Sequence, residues 1–407
     1  MSLVTHIAVR SDTEPYRRGS AGYTRITLAL FLAGVAAFVS MYSVQALLPA
    51  LADDYGVGPA GAALTLSVTT GILALVIVPA SALSERFGRT RVMVVSAVAS
   101  CTIGLLLPLS PTLEILIAGR ALQGATLAGI PAVAMAYLAE EVDGGDLGAA
   151  MGRYVAGTTI GGLLGRMIPT TLLDVTTWRW AMQAGAVAAL LAAVVMMRVM
   201  PASRRFRPQS VGLRVVAGNI AEHLRDRRLR ILFALAFILM GGFVSAYNYL
   251  GFRLLGEPFR LAPAVVALVF LIYLAGTVTS SVAGVLADRL GRRWVLPAAI
   301  TCSAVGIAAT LVDSVPWVLT GMVLFTAGFF AAHSVASGWV GSVATRHRAE
   351  ASALYLFAYY LGSSLVGAGV GVAYAAWGWP GAVGCIGALL AVGLALAARL
   401  TVLSRLR

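Results

Sequence analysis

Lysine is missing from this chain: all 30 basic residues among its 407 are arginine, set against 17 acids. With the abundance of alanine, this reads as a compositional bias of the source, not as a function. Charge of either sign is scarce, at 12% of residues, about half the share of an ordinary soluble domain. Water is therefore not the solvent for most of the surface. Cysteine is rare too. Cys101, Cys302 and Cys385 are odd in number, lie inside apolar runs and show no CxxC spacing, which argues against a disulfide framework and a metal site. The sequence has no GxxxxGK[ST] phosphate loop, so nucleotide hydrolysis by this chain is not expected. Neither a cofactor nor a metal is expected.

What is present is apolar: 59% of residues are hydrophobic. Runs of roughly 20 residues recur, each long enough to cross about 30 Å of hydrocarbon as a helix. Backbone groups in lipid must be satisfied internally, and the alternation of a β-barrel is not seen, so helices are predicted. Twelve spans emerge, at 25–49, 61–82, 91–110, 113–138, 148–172, 178–199, 231–252, 264–286, 294–312, 315–340, 351–375 and 380–398. The expected fold class is an all-α membrane protein with 12 transmembrane helices in two six-helix pseudo-symmetric bundles, residues 23–199 and 231–407. Residues 1–22 read as a polar tail without the marks of a cleaved signal peptide. Residues 200–230 read as an Arg-rich linker with a short surface helix around 211–226.

All but five of the 30 arginines fall in the tails and even-numbered loops. Arg179, Arg253 and Arg260 stand on the other side, and Arg120 and Arg166 lie within spans. Arginine excess marks the cytoplasmic face, so both termini are expected in the cytoplasm. This sidedness accounts for the net charge of +13 without invoking nucleic acid.

The two halves repeat the same local signals. Phe38-Val39-Ser40-Met41-Tyr42 matches Phe243-Val244-Ser245-Ala246-Tyr247, and Leu83-Ser84-Glu85-Arg86-Phe87-Gly88-Arg89 matches Leu286-Ala287-Asp288-Arg289-Leu290-Gly291-Arg292. Two matches in the same order, at equivalent places, indicate a duplicated six-helix unit, an architecture that holds substrate between the halves.

The second of these segments resembles the loop signature of the major facilitator superfamily. Gly284 to Arg293 is a full copy; Ser81 to Arg91 is a degraded one, with Ser81, Glu85 and Thr90 in place of glycine, aspartate and a basic residue. The resemblance implies a latch between halves in the outward-facing state, in which the acid accepts from a helix N-terminus of the other half. It assigns gating roles to Glu85, Arg86, Gly88, Arg89, Gly284, Asp288, Arg289, Gly291 and Arg292. Arg120-Ala121-Leu122-Gln123-Gly124 resembles the family's second motif, associated with proton coupling. Gly157, Gly161, Gly162 and Gly165 resemble the glycine motif of drug–proton antiporters, with Gly162 where that pattern carries proline; close helix packing is the alternative reading. Phe329 to Ser337, Leu354 to Ser364, and Thr27 to Phe31 with Gln45 look like the YnfM-type bacterial inner-membrane transport proteins.

Every acid falls outside the spans or at their ends, Glu140 and Glu141 coming closest as a solvated helix end. Arg120 and Arg166 are costly inside a membrane and are not expected to face lipid, although Arg166 could snorkel to the outer surface. His333 is the one histidine within a span, read either as a titrating group or as a packed neutral ring bonded to Ser337. Tyr42, Gln45, Gln123, Tyr247, Asn248, Tyr359 and Tyr360 complete the candidate substrate and proton pathway.

The leading expectation is secondary active transport by alternating access: proton-coupled efflux of a small organic molecule across a bacterial inner membrane. Symport or exchange of an organic anion is the alternative, since two embedded arginines face no embedded acid. An intramembrane hydrolase built on His333 with Ser363 or Ser364, and a non-transporting sensor, are remote alternatives. Expected partners are a small-molecule substrate, protons and the bilayer, with the chain acting as a monomer. The arginine distribution gives a first test. A membrane-impermeant thiol reagent applied to intact cells is expected to label a cysteine placed at Asp54 and to miss one at Ser210; labelling of Ser210→Cys from outside overturns the orientation.

Overall fold

A computed structural model describes residues 14–206 and 213–405. Ser210, the first residues of the expected surface helix, and Arg10 and Arg207 lie outside that range. The first crossing is α1 (Ala21–Tyr42), continued by α2 (Leu48–Tyr55). α3 (Pro59–Phe87) and α4 (Arg89–Leu106) form the second and third. α5 (Leu113–Leu127) and α6 (Gly129–Glu141) share the fourth, and α7 (Leu147–Leu172) and α8 (Trp178–Val199) complete the first bundle. The linker helix α9 spans Leu213–Arg225. The second bundle comprises α10 (Arg227–Leu255), α11 (Pro263–Val269) with α12 (Tyr273–Leu290), α13 (Arg292–Ala309), α14 (Val315–Val343) and α15 (Arg348–Arg405). α15 is two crossings joined where Gly378 leaves helical geometry.

Among the described residues, nine stretches are long and apolar enough to cross a membrane, one of them the double-length 350–404. α7 and α13 are not among these nine: α7 is diluted by Arg153, Arg166 and its glycines, α13 by Arg292 and Arg293. The spans read from hydropathy as continuous prove interrupted in three places. The first breaks at a 3-10 turn over Gln45–Leu47, the fourth at Ala128 and the eighth at a 3-10 turn over Phe270–Ile272. Apolar residues continue through the breaks at Ala128 and Phe270–Ile272, so composition alone does not reveal those two.

The helix ends follow local chemistry. Ser20 and Asp226 accept from the backbone N–H groups of Tyr23 (3.1 Å) and Arg228 (2.7 Å), capping α1 and α10, as short oxygen-bearing side chains do at helix starts. Pro59 and Pro263 open α3 and α11, where a missing N–H costs nothing. Gly88 and Gly291 take φ of +96° and +89° at equivalent turns, a conformation that glycine adopts without a Cβ penalty.

Between helices in lipid there is little hydrophobic driving force, so close van der Waals packing must hold them. Glycine supplies it, and does so twice. A Cβ at Gly157 would stand 2.2 Å from the Phe31 carbonyl oxygen, binding α7 to α1; a Cβ at Gly362 would stand 2.1 Å from the Phe237 carbonyl oxygen, binding α15 to α10. Gly161 and Gly165 rest on the α1 backbone at Val35 and Val39 in the same way. Gly162 differs from the packing role read for it: its neighbours are the Arg166 Nη1 and the Phe38 ring, side chains and not the α1 backbone on which Gly157, Gly161 and Gly165 rest.

The halves meet toward the end away from the termini. Among the described residues, the hydrogen bonds joining them run from the Gln45 side-chain amide to Asn248 Oδ1 and the Val244 carbonyl, and from the Ala264 N–H to Asp174. Gly157→Ala and Gly362→Ala are expected to destabilise the protein by about 1–3 kcal/mol each through overpacking. Gly369→Ala, where no atom lies within 4 Å of the new Cβ, is expected to leave the midpoint unchanged; thermal unfolding in detergent reads both.

Candidate functional site

Arg120 and Arg166, the two arginines placed within spans, are both fully buried, at 1% and 0% exposure. The snorkelling alternative for Arg166 is therefore wrong. Their surroundings differ. Arg120 on α5 donates to backbone carbonyls of Ser40 (2.9 Å), Met41 (2.7 Å) and Thr65 (3.1 Å) and to Gln123 Oε1, while Gln123 Nε2 donates to the Ser100 carbonyl (3.1 Å). Ser40 and Met41 lie in the last turn of α1, whose carbonyls have no intrahelical donors. A cation at that negative helix end is favourable. Arg120 thus caps the break in the first crossing and ties α5 to α1 and α3; its hydrogen bonds go to protein.

Arg166 sits at the seam. Its Nε donates to Gln45 Oε1 (2.6 Å) and its Nη1 to the Gly162 carbonyl (2.6 Å). Among the described residues Nη2 has no hydrogen-bond partner. The guanidinium lies 4.0 Å from the Tyr42 ring centroid and 4.4 Å from that of Tyr273, with Tyr247 at 5.8 Å and Phe270 at 5.9 Å. Each such contact contributes about 0.5–2 kcal/mol, more when desolvated, so rings from both halves offset the loss of water. Among the described residues no carboxylate is bonded to it.

The arginine has no acceptor, and this orients the two amides beside it. Gln45 must turn Oε1 toward Arg166, leaving its Nε2 to donate to Asn248 Oδ1 (2.6 Å). Asn248 Nδ2 then points away and has no partner among the described residues; nor do the hydroxyls of Ser67 and Ser363. A Cβ on Gly367 would lie 3.3 Å from Ser67 Oγ and 3.4 Å from Asn248 Nδ2, so these two groups flank one spot on α15.

A lane of rings leads from Arg166 to His333. Tyr247 packs on Phe243 (5.0 Å), Phe243 stacks on Phe329 (3.8 Å) and Phe329 on His333 (5.9 Å). His333 is half-buried, shares a hydrogen bond at Nδ1 with the Tyr355 hydroxyl (3.0 Å) and lies 4.8 Å from the Tyr359 ring, itself against Tyr360. Ser337, read as its partner, bonds the Ser334 carbonyl instead (3.1 Å), and among the described residues no hydrogen bond links His333 to Ser363 or Ser364. The sequence reading missed Tyr273, Phe270, Phe243, Phe329 and Tyr355. Of these only Tyr273 and Tyr355 carried a signal, as hydroxyls within largely apolar spans.

The loop motifs are unequally engaged. In the degraded copy, Arg89 is buried and pairs with Glu85 (2.6 Å) and Glu140 (2.7 Å) while donating to Ser84 (2.5 Å). In the full copy Asp288 and Arg289 are exposed and Arg292 donates to Ser342; a Cβ on Gly284 would meet nothing within 4 Å, and Arg86 lies exposed over Phe87. The interhalf latch is not formed in this conformation. Glu140 and Glu141 are not a solvated helix end: Glu141, 1% exposed, accepts from Ser203 and from the N–H groups of Arg204 and Arg205, fastening the linker to α6.

The sequence profile of the Major Facilitator Superfamily matches residues 30–272 and again 247–406. Identity to the inner membrane transport protein YnfM of Escherichia coli is 41%, covering 94% of this chain and 92% of that one. The chain belongs to the major facilitator superfamily. It is a multi-pass membrane transporter of that superfamily, not an enzyme. Similarity extends to the MFS-type transporter YybF of Bacillus subtilis, 39% identical over 93% of this chain and 94% of that one. Among solved structures, a bacterial homologue of the human lysosomal transporter Spinster, inward-facing and occupied, superposes with a TM-score of 0.76 at 14% identity, covering 95% of this chain and 97% of that one, and shares the superfamily fold.

The capping role of Arg120 predicts a stability effect. Arg120→Met removes the charged donor from three buried carbonyls; Ser40 and Thr65 keep hydroxyl donors from Ser43 (3.5 Å) and Thr69 (2.9 Å), so the Met41 carbonyl carries most of the cost, about 1–3 kcal/mol when unsatisfied. A fall in unfolding midpoint on the order of 5 °C is expected. An unchanged midpoint shows that the cap is dispensable.

Proposed function

We propose that this protein carries a small organic anion by alternating access, with Arg166 as the group that binds the negative charge. The observation that supports this most directly is the Arg166 cluster: a buried cation with an unpartnered Nη2, ringed by Tyr42, Tyr247, Phe270 and Tyr273, with no acid in contact among the described residues. A fixed positive charge between low-dielectric walls attracts anions and repels cations. The planar fork favours a carboxylate or a similar two-oxygen group, and the surrounding rings favour an apolar body attached to it. The unpartnered Asn248 Nδ2 supplies a second donor for a substrate acceptor. With the termini on the cytoplasmic side, as the arginine count argues, the closed end faces outward and the site is reached from the cytoplasm.

Proton-coupled efflux is a second reading, favoured by His333, which stands at the far end of the ring lane from Arg166. An anion in the lane stabilises the charged imidazole, so proton and anion bind together, whereas antiport needs them to compete. Reconstituted protein is expected to exchange aromatic carboxylates and to ignore tetraphenylphosphonium. Arg166→Gln is expected to lower carboxylate flux at least about 100-fold, the scale on which a lost charge-assisted contact of about 3 kcal/mol acts. Robust transport of the permanent cation by wild type, unaltered in Arg166→Gln, sinks the proposal.

A further inference from the structure

At the end of the bundle that carries the termini, α10 and α15 part to leave a cavity of about 380 Å³, lined by Arg227, Arg230, Ile231, Ala234, Leu396 and Arg399. Residues 227, 230, 231 and 234 form one stripe of α10, since side chains three and four apart share a helix face; Leu396 and Arg399 form the facing stripe of α15. The arginines stand at the outer end of both stripes and the apolar residues deeper in. Val392 and Val402 of α15 are more than half exposed, so this flank of the bundle is turned to lipid.

The charges here are uncompensated. Among the described residues the side chains of Arg227, Arg230 and Arg399 take part in no ion pair or hydrogen bond, and the nearby Asp226 carboxylate is occupied by Arg228, at 2.7 Å from its N–H and 3.2 Å from its Nη2. Beyond its N-cap Asp226, the first turn of α10 has no acid, although a helix N-terminus favours negative charge. Three cations thus crowd a positive helix end beside an open, half-apolar cavity.

We propose that this cleft binds the headgroup of an anionic phospholipid, its phosphate among the three arginines and its acyl chain along Ile231, Ala234 and Leu396. Basic pockets between helices near the membrane surface recognise such headgroups, and the apolar floor, continuous with the lipid-facing flank, favours a membrane lipid over a free anion. The site is separate from the Arg166 cluster.

The test uses the full chain in uncharged detergent, titrated with dioleoyl phosphatidylglycerol or dioleoyl phosphatidylcholine and read by native mass spectrometry. Wild type is expected to retain phosphatidylglycerol selectively. The variant Arg227→Gln/Arg230→Gln/Arg399→Gln is expected to lose that selectivity, each arginine contributing about five-fold in affinity. A control with the same charge removed elsewhere, Arg91→Gln/Arg198→Gln/Arg293→Gln, is expected to bind as wild type. Should the triple variant fail to fold, the three single variants must each weaken binding about five-fold. Equal retention of both lipids by wild type, equal binding by wild type and the cleft variants, or a loss matched by the control overturns the proposal. Displacement of phosphatidylglycerol by millimolar inorganic phosphate makes this a free-anion site and overturns the lipid assignment.

Discussion

The seam between the halves depends on a single charge that has nowhere to go. Arg166 is buried where a cation costs several kilocalories per mole unless its environment replaces water. The replacement comes from both bundles at once: Tyr42 and Gln45 from the first half, Tyr247, Phe270 and Tyr273 from the second. Pulling the halves apart at this level strips the guanidinium of its rings. Because arginine can only donate, the polarity of the Gln45 and Asn248 amides is fixed in turn. The 3-10 turn at Gln45–Leu47 belongs to the same constraint, since it carries Gln45, and Arg120 caps the helix that ends just before it.

The duplication that built the fold is kept in packing and abandoned in chemistry. Gly157 on Phe31 and Gly362 on Phe237 are the same contact in the two halves, as Pro59 and Pro263 are the same helix start. The equivalent of Arg166, 205 positions on, is Gly371, packed against Ala60 of α3. Tyr42 and Tyr247, by contrast, are true counterparts and both contact the one arginine. The counterpart position adds no second charge, which leaves one cation with rings from both halves. The symmetric part holds the helices together and the asymmetric part holds the charge.

Much of this was legible in the sequence, for a physical reason. Hydropathy reports transfer to lipid, so the twelve crossings could be counted; arginine is costly in lipid, so Arg120 and Arg166 stood out. What hydropathy cannot report is direction. Arg120 and Arg166 look alike in sequence, yet one caps a helix and the other joins two bundles. Phe243, Phe270 and Phe329 read as ordinary apolar residues, because a ring facing a cation has the same composition as a ring facing a leucine. The loop motif misled in another way: the full copy with Asp288 stands exposed, while the degraded copy with Glu85 is bound into a network by Glu140, a residue far away in sequence.

Under the proposed function, the same cluster explains how binding can be coupled to opening. Arg166 Nε holds Gln45, and Gln45 holds Asn248 of the other half; an anion that takes the fork competes with Gln45 for it. Each charge-assisted bond lost is worth about 1.5–3 kcal/mol, which is the size of bias that moves a two-state equilibrium by one or two decades. The anion supplies the negative charge that the protein withholds, so the guanidinium no longer needs rings from both halves to remain buried. A carboxylate placed beside Arg166 by the protein itself would remove that dependence. Its absence is what leaves the seam sensitive to the substrate.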